Sequence, residues 1–401
     1  MVDKATLQTY IHKAETELRE NILPFWIAHT VDREGGGFYG SISNDLAVDR
    51  DAPRGALLTS RILWTYSAAY RHYPEPQYLE MARWAYDDLM ARFWDNEYGG
   101  LSWMAGAEGH PLSVRKQIYG QAFGVYALAE YVRATGDDEA LHRAIDLFRA
   151  IEKHSYDAEN KGYFEAYTRD WRLETDLRLS DADMNEKKSM NTHLHVMEAY
   201  TNLMRVWDDA RLREKQAELI EVMMEHIVDP RTGHVLTFFD ERWNAKSDHV
   251  SFGHDIEASW LLVEAAEVAW ERRLAETARP LAVRMAQATY DEGLTSDGGL
   301  LYEATPRGIV HSQTEWWPQA EAVVGFLNAY QISSEPHFLD ATLRCWDYIE
   351  QHLVDRAHGE WFRAVTRDGA VIADEPKVSF WKCPYHNGRA CMEIIARLKT
   401  L

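Results

Sequence analysis

The chain has 401 residues, of which 46% are hydrophobic and 27% charged; that is ordinary for a globular protein, but longer than one core usually serves. A formal net charge of −21 argues against nucleic acid or anionic membrane as a partner, since both would repel it, and no run of about 18 apolar residues offers a membrane span. Three cysteines, Cys345, Cys383 and Cys391, form neither a metal spacing nor an even disulfide set. With no basic start and apolar stretch at the N-terminus, a cytoplasmic monomer or weak homodimer is expected.

Taken in order, 5–28 reads as an outer helix, and a glycine turn flanked by aromatic residues, Asp32–Tyr39 (DREGGGFY), follows it. The segment 55–72 is then an inner helix. Pro76–Trp94 sets Tyr78, Leu79, Ala82, Tyr86, Leu89, Met90 and Phe93 on one stripe, with Glu80, Arg83, Asp87 and Asp88 facing away. That is the pattern of a helix with one wet face. A second glycine phrase, Asp95–Trp103, leads to 115–134, where Gln117–Val132 is apolar nearly all round and so must be buried on all sides. Gly120 and Gly124 sit there where backbones can approach closely.

The alternation continues. Outer 138–154, phrase Asp157–Phe164 and inner 188–207 are followed by outer 211–228, phrase Asp229–Phe238 and inner 253–271. Outer 275–290, phrase Ser296–Tyr302 and inner 314–331 come next, and outer 336–353, phrase Asp355–Phe362 and inner 385–399 close the chain. Aligned on Gly37, Gly100, Gly162, Gly233, Gly299 and Gly359, the phrases lie 63, 62, 71, 66 and 60 residues apart. A period of this kind marks a repeat architecture. It predicts an all-α fold, an (α/α)6 barrel of six inner and six outer helices in one domain spanning 1–401. Short β-hairpins should gather at the mouth where the inner helices begin. The alternative is a helical solenoid, which rarely carries a hairpin at every repeat on one side.

In such a barrel the starts of the inner helices converge on one pocket. They bring Arg61, then Tyr119 after Arg115 and Lys116, then Asn191, His193 and His195. The fourth and fifth bring His254, Asp255 and Glu257, then Glu315, Trp316, Trp317 and Glu321. The sixth is entered by Trp381, Lys382, Cys383 and His386. His193 and His195, two apart, point in different directions, and the spacing of four from Asn191 favours His195 as the one on the axis. Glu257, three residues after His254, either orients that histidine or pairs with an arginine. Trp316 is expected between helices and Trp317 in the pocket; Cys383 and Cys391 read as small buried residues. Imidazole at a helix N-terminus is kept neutral by the dipole, which suits a general base near pH 7. No HExxH, GxxxxGK[ST] or dinucleotide fingerprint occurs, so neither metal nor cofactor is expected. Some of the 15 tryptophans and 20 tyrosines can serve as flat platforms for sugar rings.

The segments KSMNTHLHVMEAYTNL (188–203), FGHDIEASWLL (252–262), EWWPQAEA (315–322) and WKCPYHNGR (381–389) resemble the N-acylglucosamine 2-epimerase superfamily, and within it the cellobiose 2-epimerase branch. The resemblance runs essentially the full length. It implies cofactor-free interconversion of glucose and mannose units at the reducing end of a β-1,4-linked disaccharide, through ring opening and an enediolate. By that likeness His254 and His386 are the acid/base pair, His195 bonds the reacting oxygens and Arg61 stabilises the oxyanion. Tyr119, Asp183, Asn191 and Glu257 position hydroxyls or histidines, and Trp317 and Trp381 stack on sugar faces. Three other readings stay open: a mannose 2-epimerase or aldose–ketose isomerase of the same superfamily, a glycoside hydrolase using two of Asp255, Glu257, Glu315 and Glu321, and a non-catalytic sugar-binding barrel.

Overall fold

The structure, a computed structural model, describes residues 3–401. Twelve helices alternate along it. The outer six are 4–29, Pro76–Asp88, Asp138–His154, Ala210–Val222, Arg272–Glu292 and Pro336–Tyr348. Three of these widen into a final π-helical turn, Leu89–Phe93, Met223–Ile227 and Ile349–Leu353, just before a glycine phrase. The inner six are Ala56–His72, Ile118–Thr135, Met190–Met204, Phe252–Val268, Trp316–Ser333 and Tyr385–Leu398. Two expected inner helices stop three residues early. The chain turns at Trp207, whose ring packs 5.5 Å from that of Phe148, and at Trp270, which adopts a left-handed φ of 57°.

Each kind of helix has its own physical basis. The third outer helix is amphipathic, with Ala140, Ala144, Leu147, Phe148 and Ile151 buried. Asp137 caps it by accepting from Ala140 N at 2.9 Å, and the acidic first turn and basic last turn match its dipole. The inner helices bury every residue over long stretches, Ile118–Tyr131 among them. Gly124 is needed there, because a Cβ would stand 2.5 Å from Leu101 and 2.8 Å from Leu147.

Closure of the ring is visible in the strand pairing. The entry to each of the first five inner helices pairs with the hairpin that follows the next glycine phrase. Arg54 opposes Ala105, Lys116 opposes Tyr167, Lys188 opposes Phe239, Val250 opposes Ala304 and Thr314 opposes Val365. The entry to the sixth, Val378, pairs with Ile42 after the first phrase. The six inner helices likewise touch in a closed cycle, the last against the first. A solenoid would leave those two ends apart; this is an (α/α)6 barrel.

Buried ion pairs fasten the hairpins. Asp32, Asp95, Asp157 and Asp355 each accept backbone N–H groups of their own turn. Each also binds a buried cation from the following helix entry: Arg54, Lys116, Lys188 and Lys377 respectively. The cysteines are free and buried. No helix among the described residues is long and apolar enough to cross a membrane.

Candidate active site

The repeat assigns a role to each position at the start of the inner helices. Counting from the strand-paired entry residue, the fifth residue on supports the hairpin. Gln121 accepts from Leu101 N at 2.7 Å, His193 Nε2 from Tyr163 N at 2.8 Å, Asp255 from Val235 N at 2.7 Å and Gln319 from Leu300 N at 2.8 Å. His193 is therefore a prop for its glycine turn, and its Nδ1 is bound to Ser189 O at 2.6 Å. The seventh residue on points to the axis. It is Arg61, Phe123, His195, Glu257 and Glu321 in turn, and Arg389 joins them from the sixth helix through bonds to the two glutamates. One turn nearer the mouth, His254 and His386 stand three residues before Glu257 and Arg389.

Arg389 is the centre of this layer. Its Nη2 donates to Glu257 Oε1 at 2.8 Å and to Glu321 Oε1 at 2.7 Å, and its Nη1 bonds Glu198 and the Tyr385 hydroxyl. Glu321 also accepts from His386 Nδ1 at 2.7 Å and from Trp260 Nε1 at 2.9 Å. Glu198 accepts from His195 Nδ1 at 2.8 Å. Burial alone would raise the Glu198 carboxyl, but Arg389 and the bond to His195 hold it down to about 2. Burial, with Glu321 beside it, pushes Glu257 well above the ordinary range. Glu257, Glu321 and His386 could offer ligand atoms within 4.8 Å of one another, but the positive charge between the two carboxylates is already the Arg389 guanidinium.

The histidines are buried bases. His254 is pushed down to about 3 by burial and then by His195, and His386 falls well below its ordinary value through burial and then Arg61. His195 is lowered chiefly by burial. A carboxylate can only accept, so Glu321 and Glu198 fix the proton of His386 and His195 on Nδ1, leaving Nε2 as the basic nitrogen. His254 Nδ1 instead shares a 2.8 Å bond with Ser251 Oγ, a hydroxyl able to donate or accept. Trp317 touches both mouth histidines, its ring 4.7 Å from His254 and 5.6 Å from His386. Trp316 packs inward, with Lys382 Nζ 5.5 Å from its ring centre.

Arg61, 3% exposed, has no carboxylate partner among the described residues. It donates to the Tyr119 hydroxyl at 2.7 Å and to Trp381 O at 3.3 Å, and lies 4.3 Å over Phe123. Its charge is thus uncompensated on the side of the histidines. Trp381 stands half-buried, 6.3 Å from the Tyr119 ring. One expectation needs correction. Asn191 does not hold His195: its Oδ1 is buried without a partner, and His195 takes Glu198, because a buried imidazole N–H binds a carboxylate more strongly than an amide. Of the two roles open to Glu257, the structure shows the arginine pair. Asp183, in the loop before the third inner helix, accepts from Ser180 N and Oγ at 2.8 and 3.2 Å.

The sequence reading missed Glu198, Tyr385, Trp260 and Arg389, and took Glu321 only as a possible hydrolytic acid. A signal existed: Glu198 follows His195 by three, and Arg389 follows His386 by three, the spacing of neighbours on one helix face.

A helical barrel whose hairpin-lined mouth gathers three buried histidines together with Arg61 and Arg389 belongs to the class of sugar-transforming (α/α)6 enzymes. The model of the N-acylglucosamine 2-epimerase family matches residues 37–387. The chain belongs to that family and is a carbohydrate epimerase. A cellobiose 2-epimerase of Bacteroides fragilis is 48% identical over 95% of this chain and 97% of its own length. The structure of cellobiose 2-epimerase from Bacillus thermoamylovorans superposes with a TM-score of 0.92 at 40% identity, covering 97% of this chain and all of the other. That from Spirochaeta thermophila gives 0.92 at 41% identity over 99% and 98%.

Proposed function

We propose that this chain, as one catalytic domain without a cofactor, interconverts glucose and mannose units at the reducing end of β-1,4-linked disaccharides such as cellobiose or lactose. The observation that carries this reading is the pair His254 and His386, borne on different inner helices, both neutral and both against the Trp317 ring. A planar enediolate must lose and regain its C2 proton on opposite faces, which two separate imidazoles can serve. After ring opening, one histidine takes the C2 proton and the other returns one to the far face. The ambivalent Ser251 hydroxyl lets His254 exchange its proton without leaving a buried polar group unpaired. His195 and the Arg61–Tyr119 pair face the oxygens that gain charge, where a preorganised donor contributes about 3–4 kcal/mol. Trp317 and Trp381 supply platforms for the two sugars, with Asn191 and Asp183 as polar contacts.

Proton NMR of cellobiose with the enzyme in heavy water tests this. Expected is loss of the C2 proton signal as a glucosyl-mannose accumulates with the glycosidic bond intact. Exchange with mannose or glucose but not with cellobiose would favour a monosaccharide enzyme. Free glucose from cellobiose would favour hydrolysis, which the site supports poorly, since Glu257 and Glu321 share one guanidinium nitrogen instead of flanking a bond. Absence of any exchange would leave a binding barrel and refute the proposal.

A further inference from the structure

The Trp381 platform and the arginine at the reaction centre meet at one short turn. Val378, at its base, pairs with Ile42 on the first hairpin, and buried Lys382 donates to Glu360 at 2.7 Å. Between these anchors Ser379 N donates to Lys382 O at 3.2 Å and Lys382 N to Ser379 Oγ at 3.1 Å. Those bonds close the turn and leave Phe380 and Trp381 at its tip.

Two further rings stand against Trp381. Phe380 lies 5.1 Å from it and Trp103 6.3 Å, and those two are 4.9 Å apart, all three edge to face, an arrangement that aromatic quadrupoles favour. Glycine makes the room for them. A Cβ at Gly55 would stand 2.4 Å from the Phe380 ring, and one at Gly120 would stand 2.9 Å from that of Trp103. Gly55 has an ordinary φ of −113°, so it is the ring and not the backbone that calls for glycine there.

Arg61 is held by two bonds, to the Tyr119 hydroxyl at 2.7 Å and to Trp381 O at 3.3 Å. The second is longer than the usual limit of about 3.2 Å, and slack bonds of this kind in an empty active site tighten when substrate arrives. Its acceptor is the carbonyl of the residue whose ring is the platform. We propose, on the disaccharide reading above, that Phe380 and Trp103 are positioning residues: they hold the Trp381 ring so that a second sugar seated on it draws the Trp381 carbonyl onto Arg61. The non-reducing ring then raises turnover and not only affinity, as when binding of a remote part of a substrate orients the groups at the reacting centre.

Deuterium entry at C2 of cellobiose and of glucose, followed to saturation with the full chain, provides the test. The parent should turn cellobiose over at least about tenfold faster than glucose. Phe380→Leu removes the ring, and Gly55→Ala pushes it aside without deleting it; neither residue touches the reacting groups. In each variant, folded by circular dichroism, kcat on cellobiose should fall about tenfold with KM changed less than about threefold, while kcat on glucose stays within about twofold. An equal fall on both sugars would mark the rings as scaffolding, and an effect confined to KM would make the platform an affinity subsite alone; either overturns the proposal. So would parental kcat on cellobiose in both variants, or equal parent rates on the two sugars. Cellobiose inert in the parent is a different result, which refutes the disaccharide reading itself and takes this inference with it.

Discussion

Glu321→Gln separates the charge of the carboxylate network from its shape. Glutamine fills the same volume, and its carbonyl can replace Oε1 as acceptor for His386 and Arg389, both at 2.7 Å. What disappears is the negative charge, together with the Oε2 acceptor of Trp260 Nε1. A hydrogen bond to a charged partner contributes about 1.5–3 kcal/mol against about 1 kcal/mol for a neutral one. The difference, about 0.5–2 kcal/mol, is felt mainly while His386 carries an extra proton, a state the proposed cycle passes through. At 1.36 kcal/mol per factor of ten, kcat should fall about 2- to 30-fold with KM changed less than about threefold. The acidic limb of the kcat/KM profile should also move to lower pH, because a carboxylate favours imidazolium and its loss lowers the histidine further. Initial rates of epimerisation and of deuterium entry at C2, measured from pH 4 to 9 on a variant with native circular dichroism, provide the assay. A folded variant with kcat within about twofold of the parent, or one altered only in KM, would refute the assignment of Glu321 to His386.

Lys188→Met should destabilise by about 3–5 kcal/mol, since it leaves Asp157 without its buried cation at 2.9 Å; urea unfolding measures it. Gly162→Ala should lose about 2–4 kcal/mol in the same assay, because φ is +76° there and a Cβ would stand 2.5 Å from Trp243 and 2.6 Å from His193. Stability should also peak in mildly acid solution, read as melting temperature against pH. His193 and His254 fall from 6.5 to about 3, so below pH 6.5 the unfolded chain binds more protons and acid destabilises the fold. Glu165 rises from 4.5 to about 8, and Glu17 and Glu315 to about 7; their contribution is full below 4.5 and is lost as pH climbs through 7 to 8. The two trends oppose each other between 4.5 and 6.5, where the maximum should lie; a monotonic rise from pH 5 to 8 would contradict it.

Helices and hairpins were legible because both leave local marks. An apolar stripe or its all-round extension tells outer from inner helices, and a left-handed turn calls for glycine at Gly100 or Gly162. The converging helix starts followed from the period alone. Side-chain partnerships did not, since they are fixed across the axis by residues 60 to 190 positions apart. Glu198 meets Tyr385 and Arg389, and nothing near Glu198 in the chain announces either. For His193 and His195 the spacing from Asn191 picks out the axial residue, but the role of His193 emerges only when the repeats are superposed and it falls into the position of Gln121 and Gln319.

Because the entry of each inner helix is stitched to the hairpin of the next repeat, and the last to the first, no repeat is terminal in space. The outer helix 4–29 packs against the helix Tyr385–Leu398, so the polypeptide's two ends are neighbours. Joining them and opening the chain within any inner-to-outer link, all of which lie away from the hairpins, would leave every stitch intact. The same topology means that the axial residues, one from each repeat, come together only when the last stitch is made, so a chain lacking any single repeat could not assemble a partial site.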